Sequence, residues 1–357
     1  MKAYKILAIN PGSTSTKIAV YNGNEELFEQ TLRHSSEELA PFATITEQFG
    51  FRKQLVLDAL EQAGVKITEL DAVIGRGGVV KPIPSGVYEV NDALKHDLET
   101  GVGGQHASNL GGLIALDIAT LAGVKGYIAD PVVVDELQDV ARVTGCPEIE
   151  RQSVFHALNQ KAVAREYAES KGVAYESMNI IVAHMGGGIS VGAHRKGQVV
   201  DVNNALDGDG PLTPERAGTL PAGQLVRLAM SGKYSADQMK KMITGKGGMV
   251  AYIGSNDLRD VIAIADKGNG KAKLLLDAMC YNVGKSIGAA AAVLHGKVDA
   301  IILTGGIAYS DRVCVYIEEM VDFIAPVVRV PGENEMQALA ANAARVLAGT
   351  ETAKVYL

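Results

Sequence analysis

The sequence contains few cysteines, and their spacing does not indicate disulfide bonds. Cys146, Cys280 and Cys314 are odd in number, widely separated and in no CxxC arrangement. This excludes a disulfide framework and a zinc site of the usual spacing. Long apolar runs are missing as well: the longest, around residues 287–294, is far too short to cross a membrane. The first ten residues hold only four consecutive apolar residues, so we expect no signal peptide and a cytoplasmic location.

Runs of basic residues are also absent. The 357 residues carry a formal net charge of -7, with 34 Lys and Arg against 41 Asp and Glu. We therefore expect neither a nucleic-acid nor a membrane partner. An acidic protein that binds anions must gather its positive charge locally. The 47% hydrophobic content is that of an ordinary globular protein, and the length predicts about two domains.

The sequence contains an internal repeat. Residues 6–23 and 180–197 both read as a strand, a turn rich in glycine or serine, and a second strand. They align without a gap at an offset of 174, which predicts the same hairpin register in both copies. The aligned pairs are Gly12 with Gly186, Thr16 with Ser190, Ala19 with Ala193 and Gly23 with Gly197.

A second pair of segments supports a duplication. Residues 71–78 and 299–306 each read as a strand followed by a diglycine turn, and each follows a helix-like segment, 51–65 and 273–296. Helical and strand patterns alternate along the chain, so we expect an α/β fold. The predicted domains are residues 1–150, with the C-terminal helix 336–357, and residues 151–335.

The hairpin turns indicate phosphate binding. A turn of Gly, Ser and Thr at a strand end exposes N–H groups and hydroxyls, which suit phosphate oxygens. One such turn is also an ordinary hairpin turn, but the duplication favours a pair acting as a nucleotide clamp. No Walker A loop is present. The chain contains its terminal Gly284-Lys285-Ser286, but the glycine that the loop requires five residues before Gly284 is replaced by Met279.

Several motifs resemble the acetate kinase family over essentially the full length. The main ones are Asn10-Pro-Gly-Ser-Thr-Ser-Thr-Lys17, His184-Met-Gly-Gly-Gly188 and Thr304-Gly-Gly-Ile307. The resemblance implies a duplicated actin-like (ribonuclease H-like) fold of two domains with a nucleotide cleft between them. It also implies ATP/ADP and Mg²⁺ as cofactors and a small carboxylate as substrate. We further expect a homo-oligomer, a dimer or larger.

The resemblance also assigns roles to charged residues. Transfer of a phosphoryl group to a carboxylate brings two anions together and needs nearby cations. Arg76 and Arg216 are implied to contact the carboxylate and the phosphoryl group. His156 is implied to donate a hydrogen bond in the transition state, and His106 to lie near the acyl or phosphoryl group. From the residues alone, Arg216 is equally well explained by a salt bridge, and each histidine is better explained by a structural role.

The cofactor positions follow from the same motifs. The implied magnesium shell is Asn10, Asp130 and Glu335, with Glu333 as an alternative to Glu335; Asp130 is also a candidate catalytic residue. The implied phosphate contacts are Asn10, Gly12, Ser13, Ser15, Lys17, His184, Gly186, Gly187 and Gly188. The implied adenosine contacts are Asp257, Leu258, Arg259, Gly305, Gly306 and Ile307.

Departures from acetate kinase proper concern the acyl pocket. The arginine loop reads Gly-Arg-Gly-Gly, Gly187 stands where asparagine is expected, and Ala157 replaces a glycine. Small residues beside the arginine predict a roomier pocket and favour a four-carbon acid, hence butanoate + ATP ⇌ butanoyl phosphate + ADP. The alternatives are a kinase of branched acids, isobutyrate or isovalerate, and an actin-like filament protein. The expected pocket residues are Gly77, Gly78, Phe155 and Pro211.

Overall fold

The computed structural model describes residues 3–357, which divide into two units. The first unit is the chain up to Val134 together with Asn334–Leu357. Its strands are β1 (Lys5–Pro11), β2 (Ser15–Asn22), β3 (Glu25–Arg33), β4 (Ala72–Arg76), β5 (Val87–Glu89) and β6 (Lys125–Ala129). Its helices are α1 (Ser36–Leu39), α2 (Phe49–Gln62), α3 (Asp92–Thr100) and α4 (Asn109–Ala122), with 3-10 turns at Thr46–Gln48 and Ile67–Glu69 and the C-terminal helix Glu335–Leu347.

The first sheet has the strand order β3-β2-β1-β4-β6-β5. Strands β1, β2 and β3 are antiparallel neighbours, β4 and β6 run parallel to β1, and β5 is antiparallel to β6. Helix α4 packs on β4 at very close range, since a Cβ on Gly75 would overlap the Gly111 carbonyl and one on Gly111 would overlap that of Arg76. These glycines let the helix approach the strand that ends at Arg76.

The second unit is Asp135–Glu333. The strands are β7 (Asn179–Met185), β8 (Ile189–Arg195), β9 (Gln198–Val202), β10 (Ala300–Gly305) and β11 (Val327–Pro331). Their order in the sheet is β11-β10-β7-β8-β9. The helices are α5 (Asp139–Arg142), α6 (Ala157–Ser170), α7 (Ala222–Ala229), α8 (Ala236–Ile243), α9 (Met249–Ile253), α10 (Leu258–Asp266), α11 (Gly270–Val293) and α12 (Asp311–Val321), with 3-10 turns at Tyr175–Ser177 and Gly306–Tyr309; the C-terminal helix of the first unit is therefore α13.

The predicted duplication is confirmed by topology and by register. The order β3-β2-β1-β4-β6 repeats as β9-β8-β7-β10-β11, with the same strand directions. Ile6 pairs with Ala72, and Ile180 pairs with Ala300. One side-chain contact also repeats at equivalent positions: the carboxylates of Asp71 and Asp299 each accept a backbone N–H, from Lys5 and Asn179, both at 2.7 Å.

The expectation of an identical hairpin register is wrong. Asn10 pairs with Lys17, whereas His184, which aligns with Asn10, pairs with Ser190. The first turn spans residues 12–15 and the second spans only 186–188. Three consecutive glycines can close the tighter turn because they carry no Cβ. The two turns are therefore related but not superposable residue for residue.

The other sequence predictions place most elements correctly. The predicted helical segments 51–65, 111–121 and 335–347 correspond to α2, α4 and α13. The compact units divide between Val134 and Asp135 rather than after residue 150; the domain ranges stay a prediction. Within residues 3–357 the cysteines are free, and none of the helices is long and apolar enough to span a membrane.

Candidate active site

The first hairpin turn presents free N–H groups. The Gly12 N–H donates to the Ser15 carbonyl at 2.8 Å, which closes the turn. Ser13 and Thr14 are exposed, and their N–H groups donate to no acceptor within residues 3–357. The turn from Gly12 to Ser15 at the end of β1 therefore presents two free donors, the N–H groups of Ser13 and Thr14, which suit phosphate oxygens. Lys17 is engaged elsewhere, since its ammonium lies 2.8 Å from Glu29 on β3.

A buried arginine that the sequence analysis missed supports this turn from behind. Arg52, on α2, is 0% exposed. Arg52 shares the buried face of α2 with Val56, Ala59 and Leu60. A cation at a core position of a helix is therefore the feature of the sequence that could have indicated this residue. Its guanidinium donates to Gly12 O (2.7 Å), Ser13 O (2.9 Å), Ser15 O (2.9 Å), Thr16 Oγ1 (3.2 Å) and Gln48 Oε1 (2.8 and 3.0 Å).

Three predicted residues meet in the first unit. The Glu335 carboxylate, at the start of α13, accepts from the Asn10 amide at 2.5 Å and from Arg76 Nη1 at 3.2 Å. Arg76 also lies 3.4 Å from Asn10 Oδ1. The end of β1, the end of β4 and the start of α13 thus bring an arginine, an amide and a carboxylate together. Glu335, rather than Glu333, lies beside Asn10.

His106 and Asp130 are held by other contacts of the first unit. His106 Nδ1 lies 2.7 Å from Ser108 Oγ, and burial, reinforced by Arg76, lowers the pKa of His106. The ring is therefore neutral at pH 7. Asp130 follows β6 at φ 39° and is 2% exposed. One of its carboxylate oxygens accepts from Ser85 Oγ at 2.6 Å and from the Gly86 N–H at 2.8 Å.

The expectation that Gly77 and Gly78 widen an acyl pocket is wrong. A Cβ on Gly78 would lie 2.5 Å from Asn109 Oδ1 and 2.6 Å from Leu98 Cδ2, and one on Gly77 would lie 2.6 Å from Pro131 Cβ. The space beside these glycines is filled by protein. Glycine is needed there for close packing, so a larger residue would clash instead of narrowing an acyl pocket.

The second turn holds its backbone differently. The Gly186 N–H donates to the Gly188 carbonyl at 2.9 Å, and Thr213 Oγ1 donates to the Gly187 carbonyl at 2.6 Å. A Cβ on Gly188 would overlap the guanidinium of Arg216, which therefore lies directly against the turn. Arg216 donates to the Ala205 carbonyl, and burial lowers the pKa of its guanidinium. A largely desolvated cation thus adjoins the turn.

Two histidines stack beside this turn. The rings of His156 and His184 are 3.8 Å apart at 11°. His156 Nδ1 lies 2.8 Å from Ser190 Oγ, which fixes the plane of the ring. His184 Nδ1 lies 2.7 Å from Asn159 Oδ1, and its Nε2 lies 3.2 Å from a Glu333 oxygen. Glu333 is thus part of the histidine cluster of the second unit.

A neutral chain of hydrogen bonds supports Ser190. The Gln160 amide donates to Ser190 O at 3.0 Å and to Ser190 Oγ at 2.8 Å, and Gln160 Oε1 lies 2.9 Å from His194 Nε2. His194 Nδ1 lies 2.7 Å from the Tyr175 hydroxyl. Since the Ser190 carbonyl can only accept, Gln160 Oε1 must accept, and His194 Nε2 carries the proton. Complete burial lowers the pKa of His194 well below its usual value, with Lys161 and Arg165 adding to the effect.

The predicted adenosine residues lie on two segments of the second unit. Gly305, at φ 84°, exchanges backbone hydrogen bonds with Gly332 at 3.2 and 3.1 Å. A Cβ on Gly305 would overlap the Met185 carbonyl, whereas one on Gly306 would meet nothing within 4 Å. Leu258 and Ile307 share one hydrophobic cluster, while Asp257 caps α10 and pairs with the exposed Arg259. Phe155 and Pro211, the expected apolar pocket residues, are both buried.

Comparisons with known proteins identify the family of the chain. A family model described as the acetokinase family matches residues 148–355. Butyrate kinase 2 of Clostridium acetobutylicum is 57% identical over 99% of each chain, and butyrate kinase 1 of the same organism is 55% identical over the same shares. Among solved structures, Porphyromonas gingivalis acetate kinase is similar at a TM-score of 0.78 and 23% identity, covering 97% of this chain and 100% of that chain. A propionate kinase of Francisella tularensis reaches 0.73 at 17% identity, with 95% and 98% covered.

The fold is therefore the duplicated actin-like fold that these kinases share, which confirms the predicted fold class. The chain belongs to the acetokinase family.

Proposed function

We propose that this protein is a butyrate kinase, which reversibly transfers a phosphoryl group from ATP to the carboxylate of butanoate to give butanoyl phosphate and ADP. One observation carries the proposal: relatives named butyrate kinase are 57% and 55% identical over 99% of the chain. The protein is then a phosphotransferase with a carboxyl group as acceptor.

The residues of each unit suit this reaction. Arg76 and Arg216 supply the cations that two approaching anions need, and the N–H groups of the two turns supply neutral donors for phosphate oxygens. No general base is required because a carboxylate is already ionised at neutral pH. His156, oriented by Ser190, and His106, kept neutral by its surroundings, are proposed as hydrogen-bonding groups.

The oxygen atoms around Arg76 fit magnesium. Mg²⁺ prefers oxygen ligands, keeps several waters and commonly takes one or two carboxylates together with substrate phosphates. Asn10 Oδ1 and the Glu335 carboxylate are oxygen donors held side by side, and Asp130 is a third candidate. We propose that Asn10 and Glu335 hold the ion directly or through water. When bound, Mg²⁺ neutralises phosphate charge.

The alternatives have less support. Similarity to a hexokinase of Thermus thermophilus, at a TM-score of 0.52 and 14% identity, concerns the fold alone. A kinase of branched acids and a filament protein are both disfavoured by the names of the full-length relatives. A cytoplasmic location and a homo-oligomeric state stay predictions.

A substrate panel with hydroxylamine trapping tests the proposal. Relative to acetate, butyrate adds two methylenes, each worth about 0.8 kcal/mol when buried, so kcat/KM should favour butyrate by roughly 15-fold. The panel is acetate, propionate, butyrate, isobutyrate, isovalerate and valerate. A preference for acetate would refute the assignment, a preference for isobutyrate or isovalerate would favour the branched-acid alternative, and no acyl phosphate with any acid would favour the filament protein.

A further inference from the structure

Arg52 is an unusual residue for the interior of a protein. Its guanidinium is wholly buried, and within residues 3–357 no carboxylate lies at ion-pair distance from it. Buried charges are normally paired, because desolvating an ion is costly. Here the partners are instead neutral oxygens, and three of them are the carbonyls of one turn, Gly12, Ser13 and Ser15. A buried cation bonded to a proposed phosphate turn indicates a role in that turn.

The geometry of the peptide bond gives that role a direction. In a trans peptide the C=O and the following N–H point in opposite directions, and the described chain contains no cis peptide. Since the carbonyls of Gly12 and Ser13 point at Arg52, the N–H groups of Ser13 and Thr14 must point away from it. These are the two exposed N–H groups of the turn that have no acceptor within the described residues.

The positive charge of Arg52, like the outward N–H groups of the turn, favours the binding of an anion. No carboxylate in the part of the chain that the structure describes lies at ion-pair distance from Arg52, so the field of its positive charge adds to that of the two N–H groups. A buried charge is screened much less by salt than an exposed one. Burial lowers the pKa of Arg52, but an arginine stays protonated in proteins. The turn therefore combines two outward donors with a fixed positive charge beneath them.

We propose that Arg52 is a positioning residue for nucleotide phosphate: it pulls the carbonyls of the first turn inward, directs the N–H groups of Ser13 and Thr14 outward, and leaves its charge to attract the anion. The inference rests on the proposed function, because it takes the anion to be a phosphate of ATP or ADP. It assigns Arg52 no contact with the substrate.

Three variants test the proposal by titrating the purified protein with ADP and Mg²⁺ in a calorimeter. Arg52→Lys keeps the charge but cannot reach all the turn carbonyls, and Arg52→Met removes both charge and donors. Gln48→Met removes only the side-chain acceptor that orients the guanidinium. Arg345→Met, which breaks an ion pair with Glu351 elsewhere in the same unit, is the control.

We expect Arg52→Lys to weaken ADP binding by about tenfold, since a charge-assisted hydrogen bond is worth roughly that factor or more. Arg52→Met should weaken it further, Gln48→Met less, and Arg345→Met should leave it unchanged. KM for ATP should rise with no rise in KM for butyrate, a split that general loss of stability would not produce.

Several results would overturn the inference. Wild-type ADP affinity in a folded Arg52→Lys protein would show that carbonyl positioning is unimportant, and an equal loss in Arg345→Met would show a general effect. If Arg52→Met does not fold, Arg52→Lys and Gln48→Met decide the question. Failure of the proposed function is distinct, because it appears as absence of butanoyl phosphate in the wild-type protein, whatever the variants do to ADP binding.

Discussion

The two hairpin turns share one sequence pattern, but a buried cation supports the first turn and neutral hydrogen-bonding groups support the second. Behind the first turn stands a buried cation, Arg52, which binds the carbonyl oxygens of the turn. Behind the second stands a neutral chain from Ser190 through Gln160 and His194 to Tyr175. The first turn has serine and threonine where the second has only glycine.

The difference shows how a duplicated element can diverge while its strands stay in place. The parallel register of the first and fourth strands is the same in both halves, yet the turns differ by one residue. At the second turn Arg216 occupies the space that a Cβ on Gly188 would fill, whereas at the first turn Arg52 donates to the carbonyl oxygens. Each turn therefore has one arginine against it, but the two arginines contact their turns in different ways.

The largest effect is expected from removing the arginines proposed to contact the reacting groups. Arg76→Ala or Arg216→Ala should lower kcat by roughly 10³-fold or more, by analogy with other arginines that stabilise a transferring phosphoryl group. Lysine should restore little, because it lacks the planar fork of donors. Steady-state kinetics of all four variants measures this, and an Arg76→Lys enzyme within a few-fold of wild type would contradict the role.

The next effect separates the two turns. Gly188→Ala places a methyl group where the Arg216 guanidinium lies, so it should displace that cation and lower kcat by about 10²-fold. Gly12→Ala is the comparison at the first turn: its methyl group would meet Ser15 Oγ at an ordinary 3.4 Å and displaces no cation, so kcat should fall less than in Gly188→Ala. Both variants should fold. Equal kcat values in the two variants would show that Arg216 does not depend on the glycine.

The diglycine pairs extend the comparison. Gly78 and Gly306 are equivalent by the duplication, but only Gly78 is packed against protein. Gly78→Ala should lower the free energy of unfolding by roughly 1–3 kcal/mol, a typical cost of overpacking. Gly306→Val should leave stability unchanged and raise KM for ATP more than KM for butyrate. Denaturant melts and kinetics decide this, and an unstable Gly306→Val protein or an equal rise in both KM values would count against it.

The smallest effect concerns pH. The pKa of His194 in the folded protein lies well below its unfolded value of about 6.5, so the unfolded state binds one more proton between these two values. The contribution of neutral His194 to the free energy of unfolding is therefore present in full above about pH 6.5. It falls as the pH drops below that value, by at most about 1.4 kcal/mol per pH unit. Melting at pH 7, 6 and 5 should show this slope, and His194→Gln should reduce it.

A matched variant makes the pH test specific. Burial and Arg52 also lower the pKa of His34, whose Nε2 lies 2.9 Å from Thr16 Oγ1, whereas complete burial lowers the pKa of His194 well below its usual value. His34→Gln should thus reduce the slope less than His194→Gln. The opposite order would contradict the assignment of the slope to the neutral chain.

The fold could be predicted from the sequence because it is carried by local patterns. Alternating strand and helix patterns and the repeated turns predicted the duplicated topology. Asn10, Arg76 and Glu335 were recognised from motifs, and the structure brings these three together.

Other features depend on tertiary packing and were out of reach. An ungapped alignment carries no information on strand pairing, so the shifted register was invisible. The crowding at Gly78 arises from Asn109 and Leu98, far away in sequence. The position of Arg52 on the buried face of a helix could be read from the sequence, but its partners, the backbone carbonyls of the turn, have no signature there. The assignment of Lys17 to the turn missed its pairing with Glu29 on a neighbouring strand.

The composition of the first unit has a consequence for how the protein is made. The second unit is one continuous stretch of chain, whereas the first needs α13 and the residues after it, which pack on β1 and reach Val87 through Lys354. Because the ribosome synthesises the chain from its N-terminus, the second unit can fold during translation while the first waits for its last residues. Glu335 follows the whole second unit in the sequence, so the cluster around Arg76 is assembled only after the second unit has been synthesised, and a chain that stops before residue 335 cannot yet hold the proposed metal site.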